Sequence, residues 1–334
     1  MRRFLPVMVL IVMAPLVAEV LPGSTPLTMP GLVLIDLLIY GPGALLIREL
    51  VRRRGRGWAS ILLLGAAYGL IEEGLALQSL FNPGYNNVSQ WGARLFGVNW
   101  AYAEIAIIVH IIWSAAIPIL LTELLFPDRR TTPYLHRFGL IVTGIWYILG
   151  VAVVWLFSQI AFPYRVSPVL LGLVAVIVIV LVVIALGMFP RQESRPKRAL
   201  NAPQPWVVLL VIGTGACVGQ ALNSLLWRVQ PAFAQFPLVL VPMLGTLVVL
   251  AAMIWLVRNF AQARDWSDRH LLALVSGTLI AHTGVGGLIF SKTMAKGVAI
   301  GVLGLAMMIL LVLFAVRVRH RADALAERGT TACP

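Results

Sequence analysis

The sequence predicts an all-α protein: a polytopic transmembrane bundle of about ten helices, with both termini on the cytoplasmic side. Three observations predict this class, namely the composition, the lengths of the apolar segments and the placement of the positive charges. The chain has 334 residues, of which 60% are hydrophobic and only 12% are charged. Because a soluble domain carries about 25% charged residues, this composition is typical of a chain that crosses a membrane several times.

The apolar segments define the spans. A transmembrane helix needs about 20 predominantly apolar residues, and the first candidate is the weakest because it contains Pro6 and Pro15. The division between the last two candidates stays open, since a very short turn joins them. Residues 1–317 are predicted to form a single transmembrane domain, followed by a polar cytoplasmic tail, 318–334. The predicted spans are 4–22, 31–51, 58–80, 101–126, 139–161, 168–189, 206–228, 237–258, 270–290 and 295–317.

The positive charges predict the orientation of these spans. Clusters of Arg and Lys precede the first span and follow the second, fourth, sixth, eighth and tenth spans, whereas the other connections hold few. Cytoplasmic loops of membrane proteins carry such an excess. The pattern therefore predicts a multi-pass protein of the cell membrane, whose main partner is the lipid bilayer.

The same charges exclude other classes of function. The net charge of +13 arises from short clusters between apolar segments, and no RNA- or DNA-binding motif accompanies them, so nucleic acid is not an expected partner. The two cysteines, Cys217 and Cys333, are too few for a disulfide framework or a Cys-based zinc site.

Polar residues inside the predicted spans concentrate on the outer side of the membrane. Ionisable groups within spans are rare and mark functional sites by default. A helical rise of 1.5 Å per residue places Glu73 ~10 Å, Glu72 ~12 Å and His110 ~14 Å below the outer boundary. An outward-facing polar cavity is expected, and the alternative is a set of core residues that are paired locally. Other residues at a similar depth are predicted to bind the ligand of this cavity: Asp36, Gln220, Asn223 and His282. Glu19 and Glu104 lie at shallower depths.

Two further patterns concern the surroundings of these groups. Gly65 and Gly69 form a stripe of small residues beside the two glutamates, and such stripes let another helix approach closely. The glutamates are therefore expected to face protein rather than lipid. In the inner half, Arg48, Glu49 and Glu123 lie near helix ends and are expected to extend to the membrane surface.

Glu72, Glu73 and His110 are the candidate catalytic residues. They lie on consecutive antiparallel spans, which are usually neighbours. Two buried carboxylates cannot easily both be charged, and such a pair suits general acid–base work on water. The same three residues could also hold a divalent metal, which would be the only cofactor indicated. The simplest alternative is a Glu–His hydrogen bond that locks two helices together.

A Glu-Glu pair in one span and a His in the next resemble the CAAX-protease and bacteriocin-processing (CPBP) family of intramembrane endopeptidases. Glu72-Glu73 matches the start of that family's Glu-Glu-x-x-x-Arg motif, and His110 matches the end of its Phe-x-x-x-His motif. Leu77 stands at the Arg position and Ala106 at the Phe position. The resemblance implies that a glutamate activates water, with the histidine assisting, to cut a peptide within or near the membrane.

Two other classes of function stay open. Intramembrane carboxylates and histidines also serve as proton or cation relays, so a coupled transporter of a small solute fits the same residues. A structural subunit of a membrane complex is the third class, in which the polar residues only hold helices together.

Overall fold

A computed structural model of the chain describes residues 4–85, 92–191 and 199–330, with side chains described as far as residue 324. It confirms the all-α class. Within these ranges the only strands, β1 (Arg94–Leu95) and β2 (Val98–Asn99), form a small antiparallel hairpin. The helices are α1 (Leu5–Val20), α2 (Pro30–Arg53), α3 (Trp58–Ala76), α4 (Trp100–Leu125), α5 (Arg137–Ala161), α6 (Pro168–Met188), α7 (Pro205–Ser224), α8 (Leu240–Phe260), α9 (Asp268–Phe290) and α10 (Met294–Thr330), with short helical turns at Pro127–Arg129, Leu226–Val229 and Pro231–Ala234.

Nine of the described helices, α2 to α10, are long and apolar enough to cross a membrane, so the chain is a multi-pass membrane protein. The first predicted span corresponds to α1, a shorter apolar helix that contains Pro15. Most predicted boundaries lie within three residues of the observed ones. The prediction placed the end of the third span at residue 80, but α3 ends at Ala76 because Gln78 takes a left-handed conformation, with φ 56°.

The last helix, α10, continues without a break past residue 317, the predicted end of the transmembrane domain, to Thr330. The polar cytoplasmic tail, 318–334, stays a prediction. Residues 331–334 lie outside the described ranges.

Four helices contain a π-helical segment, in which the turn is one residue wider than in an α-helix. These segments are Leu16–Val20 in α1, Leu70–Ala76 in α3, His110–Ala116 in α4 and Ile184–Met188 in α6. Single π-helical turns inside α-helices are rare and occur frequently at functional sites. The first three segments contain Glu19, the Glu72-Glu73 pair and His110, respectively.

The described residues divide into two compact units. The first comprises 4–20, 24–85, 92–191 and 220–247, and the second comprises 21–23, 199–219 and 248–330. The single transmembrane domain stays a prediction.

Close helix contacts in the first unit occur at glycines. A Cβ atom added to Gly41 on α2 would lie 2.8 Å from Ile11 Cγ2 on α1, and one added to Gly65 on α3 would lie 2.9 Å from Ile111 Cα on α4. The core between these helices includes the buried Leu10, Ile61 and other apolar residues. The small-residue stripe of α3 therefore does what the sequence predicts, since it brings α4 into backbone contact.

The second unit is held in a similar way. The first part of α7 meets α9 at a pair of glycines, and a Cβ atom on Gly213 would lie 3.2 Å from the Cα of Gly277. Val208, Ile212 and Ala273 form the apolar core beside this crossing.

A buried ion-pair network lies at the C-terminal end of α2 and corrects one prediction. The expectation that Arg48, Glu49 and Glu123 extend to the membrane surface is wrong, because their exposed fractions are 0%, 0% and 1%. Glu123 on α4 accepts hydrogen bonds from Arg52 Nε and Nη2 at 2.8 and 2.7 Å, and its Oε1 lies 3.2 Å from Arg48 Nε. The segment between α4 and α5 folds over these groups and excludes them from the surface.

That covering segment is bound by both members of the Arg48-Glu49 pair. Arg48 Nη2 donates to three of its backbone carbonyls, at residues 129, 130 and 132. Glu49 accepts from the backbone N–H groups of Tyr134 at 2.6 Å and Leu135 at 3.1 Å. Burial raises the pKa of Tyr134 to about 12, so its ring stays neutral 3.2 Å beneath the Arg48 guanidinium. The network thus fixes the connection from α4 to α5.

Candidate functional site

The two glutamates of α3 lie on either side of the His110 ring on α4. Glu73 Oε1 is 3.2 Å from His110 Nε2, and Glu72 Oε2 is 3.7 Å from His110 Nδ1. All three residues are buried, with exposed fractions of 3% for Glu72, 8% for Glu73 and 2% for His110. The structure therefore brings together the three residues that the sequence singles out as catalytic.

The two carboxylates have different surroundings. Besides His110, Glu73 accepts hydrogen bonds from the Ser79 hydroxyl and, at 2.9 Å, from the Tyr102 hydroxyl. Glu72 Oε2 is buried but makes no hydrogen bond of standard geometry with any described residue. A buried carboxylate oxygen without a partner is costly. Glu73 is thus fixed in place, whereas Glu72 keeps an oxygen free for a further group.

His110 is held on both ring nitrogens. Its Nε2 faces Glu73, and its Nδ1 lies 3.1 Å from the Ser114 hydroxyl, one turn later on α4. The Tyr68 ring packs edge-on against the imidazole with centroids 5.3 Å apart. These contacts fix the plane of the imidazole between the two carboxylates.

Two tyrosine hydroxyls add to the unpaired groups around Glu72. Tyr68 lies one turn before Glu72 on α3 and interacts with it, but its hydroxyl makes no hydrogen bond of standard geometry. Tyr147 on α5 packs against Tyr68 with ring centroids 6.0 Å apart, and its buried hydroxyl is also unpaired among the described residues. Three polar groups that make no hydrogen bond of standard geometry with a described residue, Glu72 Oε2 and the Tyr68 and Tyr147 hydroxyls, therefore belong to the same part of the first unit.

Glu19 joins this site; the sequence places it in the outer-half polar band at a shallower depth, and it is not among the predicted catalytic or binding residues. Its carboxylate accepts hydrogen bonds from Tyr40 at 2.7 Å and from Ser24 at 2.6 Å. The Tyr40 ring lies 5.9 Å from the His110 ring. Helical rise gives only the position of Glu19 along the membrane normal, so it does not show that Glu19 faces Tyr40 and the site. A signal was available, since Glu19 is a lone carboxylate in the apolar segment Leu16–Val20.

The start of α4 is tied directly to Glu73. Asn99, the last residue of the hairpin, caps α4 by accepting a hydrogen bond from the backbone of Tyr102 at 3.1 Å, and its own N–H donates to Leu80. Tyr102 in turn donates its hydroxyl to Glu73. The hairpin, which lies in the connection from α3 to α4, thus sets the position of one of the site's hydrogen-bond donors.

The other predicted ligand-binding residues have separate locations. Asp36 is half-buried on α2 and interacts electrostatically with Glu19 and Glu72, so it borders the site. Asn223 lines a small pocket with Ala101, Trp227 and apolar neighbours, and Gln220 is buried one turn before it on α7. His282 is buried on α9 in the second unit. Asp36 is thus placed beside the catalytic candidates.

The geometry does not support the divalent-metal alternative. Among the described residues no group of three or more His, Cys, Asp or Glu side chains is arranged to hold a metal ion. The physical reason is that Glu72 and Glu73 face different nitrogens of the same imidazole. An ion bound at Nε2 would lie on the far side of the ring from Glu72.

Comparison with known proteins places the chain in a family. The model of an uncharacterized membrane protein family matches residues 8–322. The chain belongs to this family. No match was found among curated proteins or among solved structures. The matched region includes Glu19, Glu72, Glu73 and His110, so this member of the uncharacterized membrane protein family carries its whole polar site within the family region.

In this family member, Gly69 supports the geometry of His110. A Cβ atom at Gly69 would lie 2.9 Å from His110 Cβ and 3.1 Å from His110 Cδ2. We predict that Gly69→Ala displaces the imidazole from Glu73 and lowers the free energy of unfolding by about 1–3 kcal/mol, as overpacking does in a close contact. Thermal unfolding in detergent measures the loss.

The matched control for Gly69→Ala is Gly144→Ala on α5, where an added Cβ atom meets nothing within 4 Å. This variant is expected to be neutral or to stabilise slightly, because Ala is the better helix former. Equal unfolding temperatures for the two variants would contradict the proposed role of Gly69.

Proposed function

We propose that this protein is an intramembrane hydrolase in which Glu72 activates water to cleave an amide bond of a membrane-embedded peptide. The observation that carries the proposal is the buried Oε2 of Glu72, which lies 3.7 Å from His110 Nδ1 and makes no hydrogen bond of standard geometry with any described residue. A general base must reach the proton it removes, and this oxygen has capacity left to accept one.

The chemistry follows from this arrangement. Glu72 takes a proton from water, and the resulting hydroxide oxygen bonds to the amide carbon. The C–N bond then breaks, and the proton held by Glu72 passes to the leaving nitrogen. His110 donates to the developing negative charge, and such donors act strongly in a water-poor, low-dielectric site. Atoms and charge balance, because one water and one amide give one acid and one amine.

Glu73 has a positioning role in this proposal. Its carboxylate already accepts from Ser79 and Tyr102 and faces His110, so it has little capacity left for water. It holds the imidazole in the orientation that presents Nδ1 to Glu72. These different roles of the two adjacent carboxylates agree with the resemblance to the CPBP family, which implies peptide hydrolysis by glutamate-activated water.

The substrate class follows from the location of the site. The three residues are buried within α3 and α4, which are both long enough to span a membrane. A bond cleaved there must itself reach the bilayer interior, as in a transmembrane peptide. We also propose that the protein resides in the cell membrane with cytoplasmic termini, which the alternating Arg and Lys clusters support. A fluorescent protein fused to Pro334 tests this, since it matures in the cytoplasm; absence of fluorescence at normal expression would contradict it.

Hydrolysis of a peptide in ¹⁸O-labelled water tests the reaction directly. The purified protein in lipid nanodiscs is incubated with synthetic transmembrane peptides, and the products are analysed by mass spectrometry. We expect shortened peptides whose new carboxyl group carries one ¹⁸O atom. If neither a peptide set that samples varied span sequences nor the native membrane proteins yield such products, the hydrolase proposal is wrong.

A proton-coupled carrier is the second candidate, and the observation that favours it is Glu19. A third carboxyl, half-buried and interacting electrostatically with Glu73, resembles a chain of relay groups more than a minimal hydrolytic pair. Proteoliposomes that contain a pH-sensitive dye distinguish the two functions. Uptake of protons that depends on a solute, and is lost in Glu73→Gln, would favour the carrier. Absence of any such flux in a protein that hydrolyses peptides would exclude it.

A further inference from the structure

Glu19 is a half-buried carboxyl that the hydrolytic steps above do not use. It lies in the π-helical segment Leu16–Val20, and its two carboxylate oxygens are taken by Tyr40 at 2.7 Å and Ser24 at 2.6 Å. The interior of a membrane protein is an expensive place for an ionisable group. Gln or Leu could supply packing alone at this position. The ionisable Glu19 therefore calls for a role beyond packing.

On one side, Glu19 is connected through Tyr40 to the Glu72–His110 centre. Tyr40 donates to Glu19 and packs its ring 5.9 Å from the ring of His110. Glu19 also interacts electrostatically with His110 and Glu73. Tyr40 therefore lies between Glu19 and the His110 ring.

On the other side, Glu19 is connected through Thr25 and Asp36 to the start of α2, at the membrane boundary. Asp36 lies one turn before Tyr40 on α2, is half-buried, and has an Oδ2 atom without a hydrogen-bond partner among the described residues. The Thr25 side chain is a partner of Asp36, and the Thr25 N–H donates to the Glu19 carbonyl at 3.1 Å. Asp36 and Glu19 also interact electrostatically.

We propose that Asp36, Glu19 and Tyr40 form a proton path that connects the Glu72–His110 centre with the membrane boundary at the start of α2. The inference rests on the proposed function in one respect, since the path serves the hydrolysis products. Cleavage first gives a neutral acid and a neutral amine. Ionisation of the acid releases one proton and ionisation of the amine takes one up, and the path carries these protons out of and into the buried site.

The path works among several other titratable groups that face Glu19. Each of them must be kept intact when the path is tested, because each can change the protonation of Glu19. They are Asp36 and Tyr40 on α2, Tyr68, Glu72 and Glu73 on α3, Tyr85 in the following connection, and His110 on α4.

Infrared spectroscopy tests the path without any substrate. The full-length protein in nanodiscs is transferred from H₂O to D₂O, and the carboxyl band that disappears in Glu19→Gln is followed over time. We expect this band to exchange about tenfold or more slowly in Asp36→Asn, which interrupts the outer end of the path. The matched control is Glu104→Gln, which alters a half-buried carboxylate on α4 that has no hydrogen-bond partner among the described residues. In Glu104→Gln, the Glu19 carboxyl band should exchange at the wild-type rate.

Hydrolysis supplies the second readout. Asp36→Asn and Tyr40→Phe are expected to lower kcat about tenfold with KM unchanged, and added formate should restore the rate, because a small diffusible acid replaces a lost proton carrier. A merely structural role would show no rescue. Tyr40→Phe keeps the ring against His110, so a folding defect of one variant does not decide the result.

The outcomes separate this proposal from the proposed function. Exchange as fast in Asp36→Asn and Tyr40→Phe as in wild type overturns the proton path, whether or not peptides are cleaved. Slowed exchange in a protein that cleaves no peptide supports the path and contradicts the hydrolase.

Discussion

Replacement of Glu72 by Gln is expected to lower the rate of peptide hydrolysis by a factor of about 10²–10⁴, the range that a general base contributes. Gln has the same shape as Glu but cannot accept a proton at this oxygen. Because Oε2 of Glu72 has no hydrogen-bond partner among the described residues, the substitution removes little that stabilises the fold. The unfolding temperature should therefore stay close to that of wild type. Initial rates in nanodiscs, together with thermal unfolding, measure both quantities.

Two further variants make this result specific. Glu73→Gln removes the carboxylate that faces His110 and that accepts hydrogen bonds from Ser79 and Tyr102. We therefore expect both the rate and the unfolding temperature to fall. Glu104→Gln is the control, because Glu104 lies within α4 outside the site, and neither quantity should change. A Glu72→Gln variant with the wild-type rate would show that Glu72 is not the base. Full activity in both Glu72→Gln and Glu73→Gln would exclude the protease.

The largest effect on stability is expected for Glu123→Ala. Glu123 receives two hydrogen bonds from Arg52 and lies 3.2 Å from Arg48, and all three side chains are buried. Removal of one member of a buried ion pair leaves an uncompensated charge, which costs about 3–5 kcal/mol. Here two guanidinium groups lose the same partner. Thermal unfolding in detergent is expected to show a large decrease.

An exposed ion pair gives the matched control for Glu123→Ala. Arg269 Nη2 lies 2.7 Å from Asp323 Oδ1, but the two side chains are 40% and 53% exposed. Such pairs contribute about 0–1 kcal/mol, so Asp323→Ala should unfold nearly like wild type. Similar unfolding temperatures for Glu123→Ala and Asp323→Ala would contradict the inference that the buried network fixes the connection from α4 to α5.

The position of His110 shows how far sequence reasoning reaches. Its depth and its place on the span that follows Glu72 and Glu73 predict a neighbour, and the structure places its ring between the two carboxylates. Helical rise gives the matching depth, and the direct connection of two consecutive antiparallel spans makes them neighbours. Asn223 has a comparable predicted depth, yet it lines a separate pocket with Ala101 and Trp227. Depth cannot specify which helices are neighbours.

The error at Arg48 and Glu123 has a related cause. Charged residues near the end of a predicted span usually extend to the surface. Here the segment between α4 and α5 covers them and supplies carbonyl and N–H partners. Whether a loop folds back over a helix end is a property of tertiary contacts, and no local pattern of hydrophobic or charged residues encodes it.

The sequence by itself determined the membrane class and the bounds of most helices, because bilayer thickness and hydropathy act on each segment separately. The sequence also determined the close approach of α3 and α4, because Gly65 and Gly69 place no side chain between the two helices. Only the tertiary structure decided that Glu72 Oε2 makes no hydrogen bond of standard geometry with a described residue, that Glu73 is held by Ser79 and Tyr102, and that Glu19 joins them. The physical reason is rotation. Each residue turns a helix by roughly 100°, so a π-helical turn with one extra residue redirects the side chains that follow it.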